Sequence, residues 1–202
     1  MNINSKNTTG GFTLIEMIVS LAIFTVVAVI AVGALIKILD ANKKAINLKT
    51  VTNSLNFALE SMTREMRVGS KYYIDSSANN AIQKNYTPFE NTNKKQTISG
   101  EWAIAFTSSK LSADKACNLI FAYRYYNGKL QKGQQTDCND PINGNDFEDI
   151  VTTDIKFTNV TATVDASRAK PQIELFFQGN SGTKDKLKVE FAIQTKVSQR
   201  IK

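Results

Sequence analysis

One stretch limits what this chain can fold into more than any other. From Phe12 to Ile36 the sequence reads FTLIEMIVSLAIFTVVAVIAVGALI, twenty-five residues that carry a single charge, Glu16. About 20 apolar residues on a helix rising ~1.5 Å per residue span the ~30 Å hydrocarbon core of a bilayer, so this run is long enough to cross. A helix packed into a water-soluble core shows one apolar stripe; this one is apolar on every face. The run reads as a membrane segment. Two ordinary segments share that description. A secretory signal would be removed at a small-residue site such as Val32-Gly33-Ala34, but its apolar core has about half this length and lacks a carboxylate. A plain single-pass anchor would be oriented by its flanks. The leading flank offers the α-amine and Lys6, and the trailing flank offers Lys37, Lys43, Lys44 and Lys49 against Asp40. Charge counting alone therefore sets the N-terminus outside.

Glu16 is the costly residue. A charged side chain at mid-span is disfavoured by roughly 2.5–3.5 kcal/mol on insertion scales, and it persists where a partner neutralises it. No Lys or Arg lies within two turns of Glu16 on the same helix. The positive charge has to come from another chain.

The residues around it carry a resemblance. Thr9-Gly10-Gly11-Phe12-Thr13-Leu14-Ile15-Glu16 resembles the processing motif of type IV prepilins and of type II secretion pseudopilins. The resemblance implies cleavage by a prepilin peptidase between Gly11 and Phe12, N-methylation of Phe12, and Glu16 as the carboxylate that directs assembly. It places the leader in the cytoplasm, which overrides the charge count, and the apolar run survives in the mature chain. Cleavage leaves an ammonium at Phe12 that can pair with Glu16 of a neighbouring subunit, so two groups costly in isolation become complementary. Many family members have proline twenty-two residues into the mature chain, whereas this sequence has Gly33. Glycine weakens a helix by about 1 kcal/mol against alanine; it also permits close helix packing, and either reading fits.

The implied organisation is a leader (1–11), a transmembrane and assembly helix (12–36), an amphipathic stem (37–69) and an extracytoplasmic globular β domain (70–202). The implied role is a structural subunit of a pilus or pseudopilus. Its partners would be other pilin or pseudopilin subunits, the peptidase and methyltransferase, an inner-membrane assembly platform and membrane lipid. The large globular part and the ending Gln194-Thr-Lys-Val-Ser-Gln-Arg200 look more like a minor pilin or a J-type pseudopilin than a major subunit.

Composition agrees with a structural role. The 202 residues contain no histidine, which excludes Ser-His-Asp and Cys-His nucleophile pairs, imidazole acid/base chemistry and most zinc sites. Neither a phosphate-binding glycine loop nor a metal-ligand cluster is present in the sequence, so no enzyme and no cofactor is expected. A tethered binding protein on a plain anchor remains the other class.

Beyond the membrane run, Leu48, Val51, Leu55, Ala58, Leu59, Met62 and Met66 recur at three-four spacing and predict a helix to about Val68, ended by Gly69-Ser70. The methionines and Phe57 are expected in its core-facing stripe. From Phe12 the whole helix would run roughly 85 Å at ~1.5 Å per residue. Residues 71–100 are polar and read as a long connection holding one short element. Strand signals follow. Glu101–Thr107 alternates around Trp102, Ile104 and Phe106; Leu119–Tyr126, Asn127-Gly128 and Lys129–Lys132 form a hairpin with a type I′ turn signature. Ile150–Val164 is β-rich, and Gln172–Gln178 and Leu187–Val197 flank an expected turn at Gly179-Asn180-Ser181-Gly182. The predicted fold class is α+β, a helix packed on an antiparallel sheet.

Cys117 and Cys138 are the two cysteines. In the orientation that the resemblance implies they occupy an oxidising space and pair, the alternative being two free thiols. The acidic, Asn-rich stretch Asp137–Asp149 offers oxygen ligands for calcium without EF-hand spacing and reads more simply as a solvated loop. The net charge of +7 invites a nucleic-acid reading, and competence-type minor pilins can bind DNA. However, residues 37–71 carry seven basic and three acidic side chains and 184–202 six and two, whereas 72–183 carry eleven and twelve. The excess sits in the stem and at the C-terminus, and near a membrane a basic stem also meets anionic headgroups.

Overall fold

A computed structural model describes residues 11–76, 95–111, 117–138, 140–151, 155–167, 170–182 and 188–200. The chain divides into two compact units, 1–43 and 44–202. The second is the head.

Helix α1 spans Leu14–Val68. In the head its buried residues are Val51, Leu55, Ala58, Leu59, Met62 and Met66, the three-four spacing of a stripe that faces a core, whereas Leu48, expected in the same stripe, is exposed. Phe57 departs from expectation. It is 76% exposed, because at ~100° per residue position 57 falls on the face opposite the stripe of Leu55, Ala58 and Met62, away from the strands. Gly69 follows the last helical residue and returns its N–H to the Glu65 carbonyl at 3.0 Å. Its side-chain position is closed: a Cβ there would lie 2.4 Å from Cδ2 of Phe106. The single Tyr72 hydroxyl hydrogen is shared between the Met66 and Gly69 carbonyls, which helps to satisfy the end of the helix.

The strands are β1 Ser70–Asp75, β2 Lys95–Ser99, β3 Trp102–Leu111, β4 Asn118–Tyr126, β5 Lys129–Gln134, β6 Phe147–Asp149, β7 Ile155–Asp165, β8 Gln172–Ser181 and β9 Val189–Ser198. All their pairings are antiparallel, in two sheets rather than the single one expected: five strands ordered β1-β3-β4-β5-β6 and four ordered β2-β7-β8-β9. Residues 71–100 supply an edge strand to each sheet, β1 and β2, where one short element was expected; 77–94 lie outside the described residues. The β4–β5 hairpin turns at Asn127 and Gly128 with φ of 50° and 75°, as a type I′ turn requires. The last hairpin turns later than expected. Gly179, Asn180 and Ser181 belong to β8 and pair with Phe191, Glu190 and Val189.

Trp102, Ile104, Phe106, Tyr123, Leu175 and Phe177 join Met62 and Met66 in the main core. The opposite face of the five-stranded sheet is buried too. Ala103, Ala105 and Ala122 lie there beneath Ile142 and Phe147, carried by the segment after β5. Burial on both faces explains why the alternation in Glu101–Thr107 is weak.

Candidate functional site

The site that the sequence singles out lies at the start of α1. Gly11, Phe12 and Thr13 precede the helix and are exposed, Phe12 by 80%. Thr13 is the residue at which helical hydrogen bonding begins: its carbonyl accepts from the N–H of Glu16 at 3.1 Å and of Met17 at 3.2 Å. The Thr13 hydroxyl also accepts from the Glu16 N–H at 3.4 Å. Thr13-Leu14-Ile15-Glu16 is thus a T-x-x-E capping sequence with its threonine half formed. That signature is readable in the sequence, although the spacing draws attention first to Glu16 alone. The helix start also suits a carboxylate, because the unsatisfied N–H groups of the first turn carry a partial positive charge.

From Gly11 to Thr50 the side chains are exposed except for Ala28 and Asn47, which are half-buried. Among the described residues α1 is the one helix long and apolar enough to cross a membrane, and none of its most apolar window is covered by the chain itself. Such a surface needs lipid or other helices around it. α1 passes through Gly33 without a break, and nothing lies within 4 Å of the space a Cβ would take there.

The remaining expected residues are in the head. Cys117 and Cys138 form a disulfide with their Cα atoms 5.9 Å apart. It anchors the segment that runs from Gln135 to β6 across the five-stranded sheet. Within that segment the carboxylates turn to separate local donors. Asp137 accepts from the Cys138 N–H at 2.6 Å, Asp146 from the Asn143 N–H at 2.7 Å, and Asp149 from Lys129 Nζ at 2.6 Å and Gln131 Nε2 at 2.7 Å. The Lys129 and Gln131 hydrogen bonds hold the Asp149 carboxyl below its ordinary value. Among the described residues no three Asp, Glu or Cys side chains converge as metal ligands.

Two polar arrangements escape the sequence reading, since their members are far apart in the chain. Glu65 on α1 accepts from the Tyr123 hydroxyl at 2.7 Å and Lys132 Nζ at 2.5 Å. Burial, and then this bond to Glu65, pushes the Tyr123 phenol far up. Arg124, 4% exposed, has its guanidinium carbon 3.8 Å from the centre of the Phe147 ring and donates to Gln131 Oε1 at 2.8 Å and to the Gly144 carbonyl at 3.1 Å. Burial lowers its pKa from the ordinary arginine value. It holds the covering segment in place.

Comparison with known proteins bears on the N-terminal site. Residues 6–32 match the family model described as the prokaryotic N-terminal methylation motif. No curated protein and no solved structure matches the chain. The matched stretch contains Gly11, Phe12, Thr13 and Glu16 and runs through most of the exposed apolar part of α1. With the N-terminal methylation motif at residues 6–32, a long apolar helix after it and an α+β head, the chain has the features of a type IV pilin-like protein.

Proposed function

We propose that the protein is a structural subunit, a minor pilin or pseudopilin, of a type IV pilus or type II secretion pseudopilus, and that its work is assembly rather than catalysis. The observation that carries this reading is the methylation motif at 6–32 set against an uncovered apolar helix whose single charge in 12–36 is Glu16. A prepilin peptidase removes residues 1–11, Phe12 is methylated, and the subunit waits in the cytoplasmic membrane with its head outside. The ammonium at Phe12 of one subunit then meets Glu16 of another as the assembly platform adds it to the filament. Both charges are costly in hydrocarbon, so pairing them favours one register over the alternatives.

Mass spectrometry of the mature N-terminus tests the processing. A chain that starts at N-methyl-Phe12 supports the proposal, and one that starts at Met1 or Leu35 overturns it. Glu16→Val tests the assembly step. The variant is expected in the membrane fraction at the wild-type level but missing from sheared filaments, and normal incorporation would remove Glu16 from the mechanism.

A further inference from the structure

The fold gathers cationic side chains that the sequence keeps far apart. α1 ends beside the end of the last strand, where the Arg200 N–H donates to the Arg67 carbonyl at 2.8 Å. The Gln199 N–H donates to the Pro171 carbonyl at 3.0 Å, which brings in Lys170. Ser70 pairs with Thr107 at the start of β1, so Lys71 and the last residues of β3, with Lys110, lie at this end as well. Arg67, Lys71, Lys110, Lys170 and Arg200 are all exposed. The nearby carboxylate Asp165 accepts from the Ser167 N–H at 3.1 Å. The two basic stretches of the sequence thus contribute to one cationic end of the head.

The same head carries the opposite charge elsewhere. Between 137 and 149 there are five carboxylates and no Lys or Arg. Their segment covers the far face of the five-stranded sheet and finishes as its edge strand, β6, while β1 forms the other edge. Asp140 and Glu148 are exposed along it. A patch and its complement at different places on one molecule make a heterologous contact. Repeated from copy to copy, a contact of that kind that does not close on itself builds a helical filament.

We infer that the cationic end of one head, built by Arg67, Lys71, Lys110, Lys170 and Arg200, docks on the acidic 137–149 edge of a second copy of this chain. The inference rests on the assembly reading and adds to it a contact outside the membrane. Its electrostatic part is screened by salt, with a Debye length of ~10 Å at 0.1 M.

Charge reversal on the full-length protein in detergent tests it. One variant carries Lys170→Glu with Arg200→Glu; the other carries Asp140→Lys with Glu148→Lys. All four positions are exposed; the Asp140 carboxylate accepts a 3.4 Å bond from the Thr136 hydroxyl, and its 2.7 Å bond from Gln135 Nε2 goes to the backbone carbonyl, which the substitution keeps. Sedimentation at low salt is expected to show wild-type association, each variant alone associating on the order of tenfold more weakly, and an equimolar mixture regaining the wild-type level, because each reversed patch then meets its complement. Undiminished association of either variant, or a mixture as weak as its parts, overturns the inference. So does binding of a DNA duplex that Lys170→Glu with Arg200→Glu abolishes while self-association is unchanged, since the partner is then a nucleic acid. Glu16→Val separates this from the assembly reading: if that chain enters filaments normally the assembly reading fails, whatever the mixture shows.

Discussion

Tyr123 reaches across from β4 to donate its phenolic hydrogen to Glu65 on α1, and Lys132 closes the group from β5. Both members of the ion pair are about one-quarter exposed, so solvent screening keeps the bridge itself a modest contributor. The larger constraint falls on the phenol. Burial and the adjoining carboxylate raise its folded pKa, whereas in the unfolded chain a tyrosine ionises near ~10. A group whose folded pKa is raised contributes stability that is fully present below the unfolded value and is lost as pH rises above it. The head is therefore expected to weaken from about pH 10 upward. Tyr123→Phe keeps the ring, removes the titrating group and flattens that decline. Denaturant midpoints between pH 8 and 11 for the two proteins measure it, and parallel declines would show that Tyr123 is not responsible.

At the scale of elements, the stem of α1 and the segment that covers the five-stranded sheet show where local sequence decides and where it does not. The stripe Val51–Met66 is legible because helix period and apolar spacing are local properties; Phe57 misleads because hydrophobicity alone does not report which face a residue takes. Met62→Ala is expected to cost ~2–5 kcal/mol and Phe57→Ser less than about 0.5, measured by chemical denaturation. Comparable losses would place Phe57 in the core after all. The Asn127-Gly128 hairpin is legible for the same local reason. The late turn of the β8–β9 hairpin, the short β6 and the division into two sheets are not, since they depend on pairings between distant segments. The N-terminal methylation motif at residues 6–32 is legible because it is contiguous. The covering segment is held in several ways: Arg124 grips Phe147 and Gly144, and at Gly133 a Cβ would come within 2.8 Å of Ile142. Loss of the Cys117–Cys138 bond, which joins residues 21 apart, is expected to cost roughly 3 kcal/mol. Its local signature is faster hydrogen exchange over 135–149 in Cys117→Ser with Cys138→Ser, while β3 and β4 keep their protection. Equal acceleration across the head would show that the disulfide supports the whole core.

For the whole molecule, the unit that holds the core begins at Lys44 rather than at the end of α1. The sequence suggests a globular part from residue 70, because the helical pattern stops at Gly69-Ser70, yet the strands alone leave their inner faces open. Leu55, Met62 and Met66 are fully buried against them, with Val51, Ala58 and Leu59 nearly so. Buried apolar side chains of the larger kinds contribute ~1.5–3 kcal/mol each, and a domain's net stability is only ~5–15 kcal/mol. Removing the stem therefore takes away about as much as the head has in reserve. A fragment of residues 44–202 is expected to remain in solution without detergent, melt cooperatively and retain the near-ultraviolet dichroism of Trp102. A fragment of residues 70–202 is expected to lose that signal and aggregate, because the aromatic faces that pack on α1 become exposed. A cooperative melt from the shorter fragment would mean that the two sheets close on each other without the helix, and that the stem serves assembly alone.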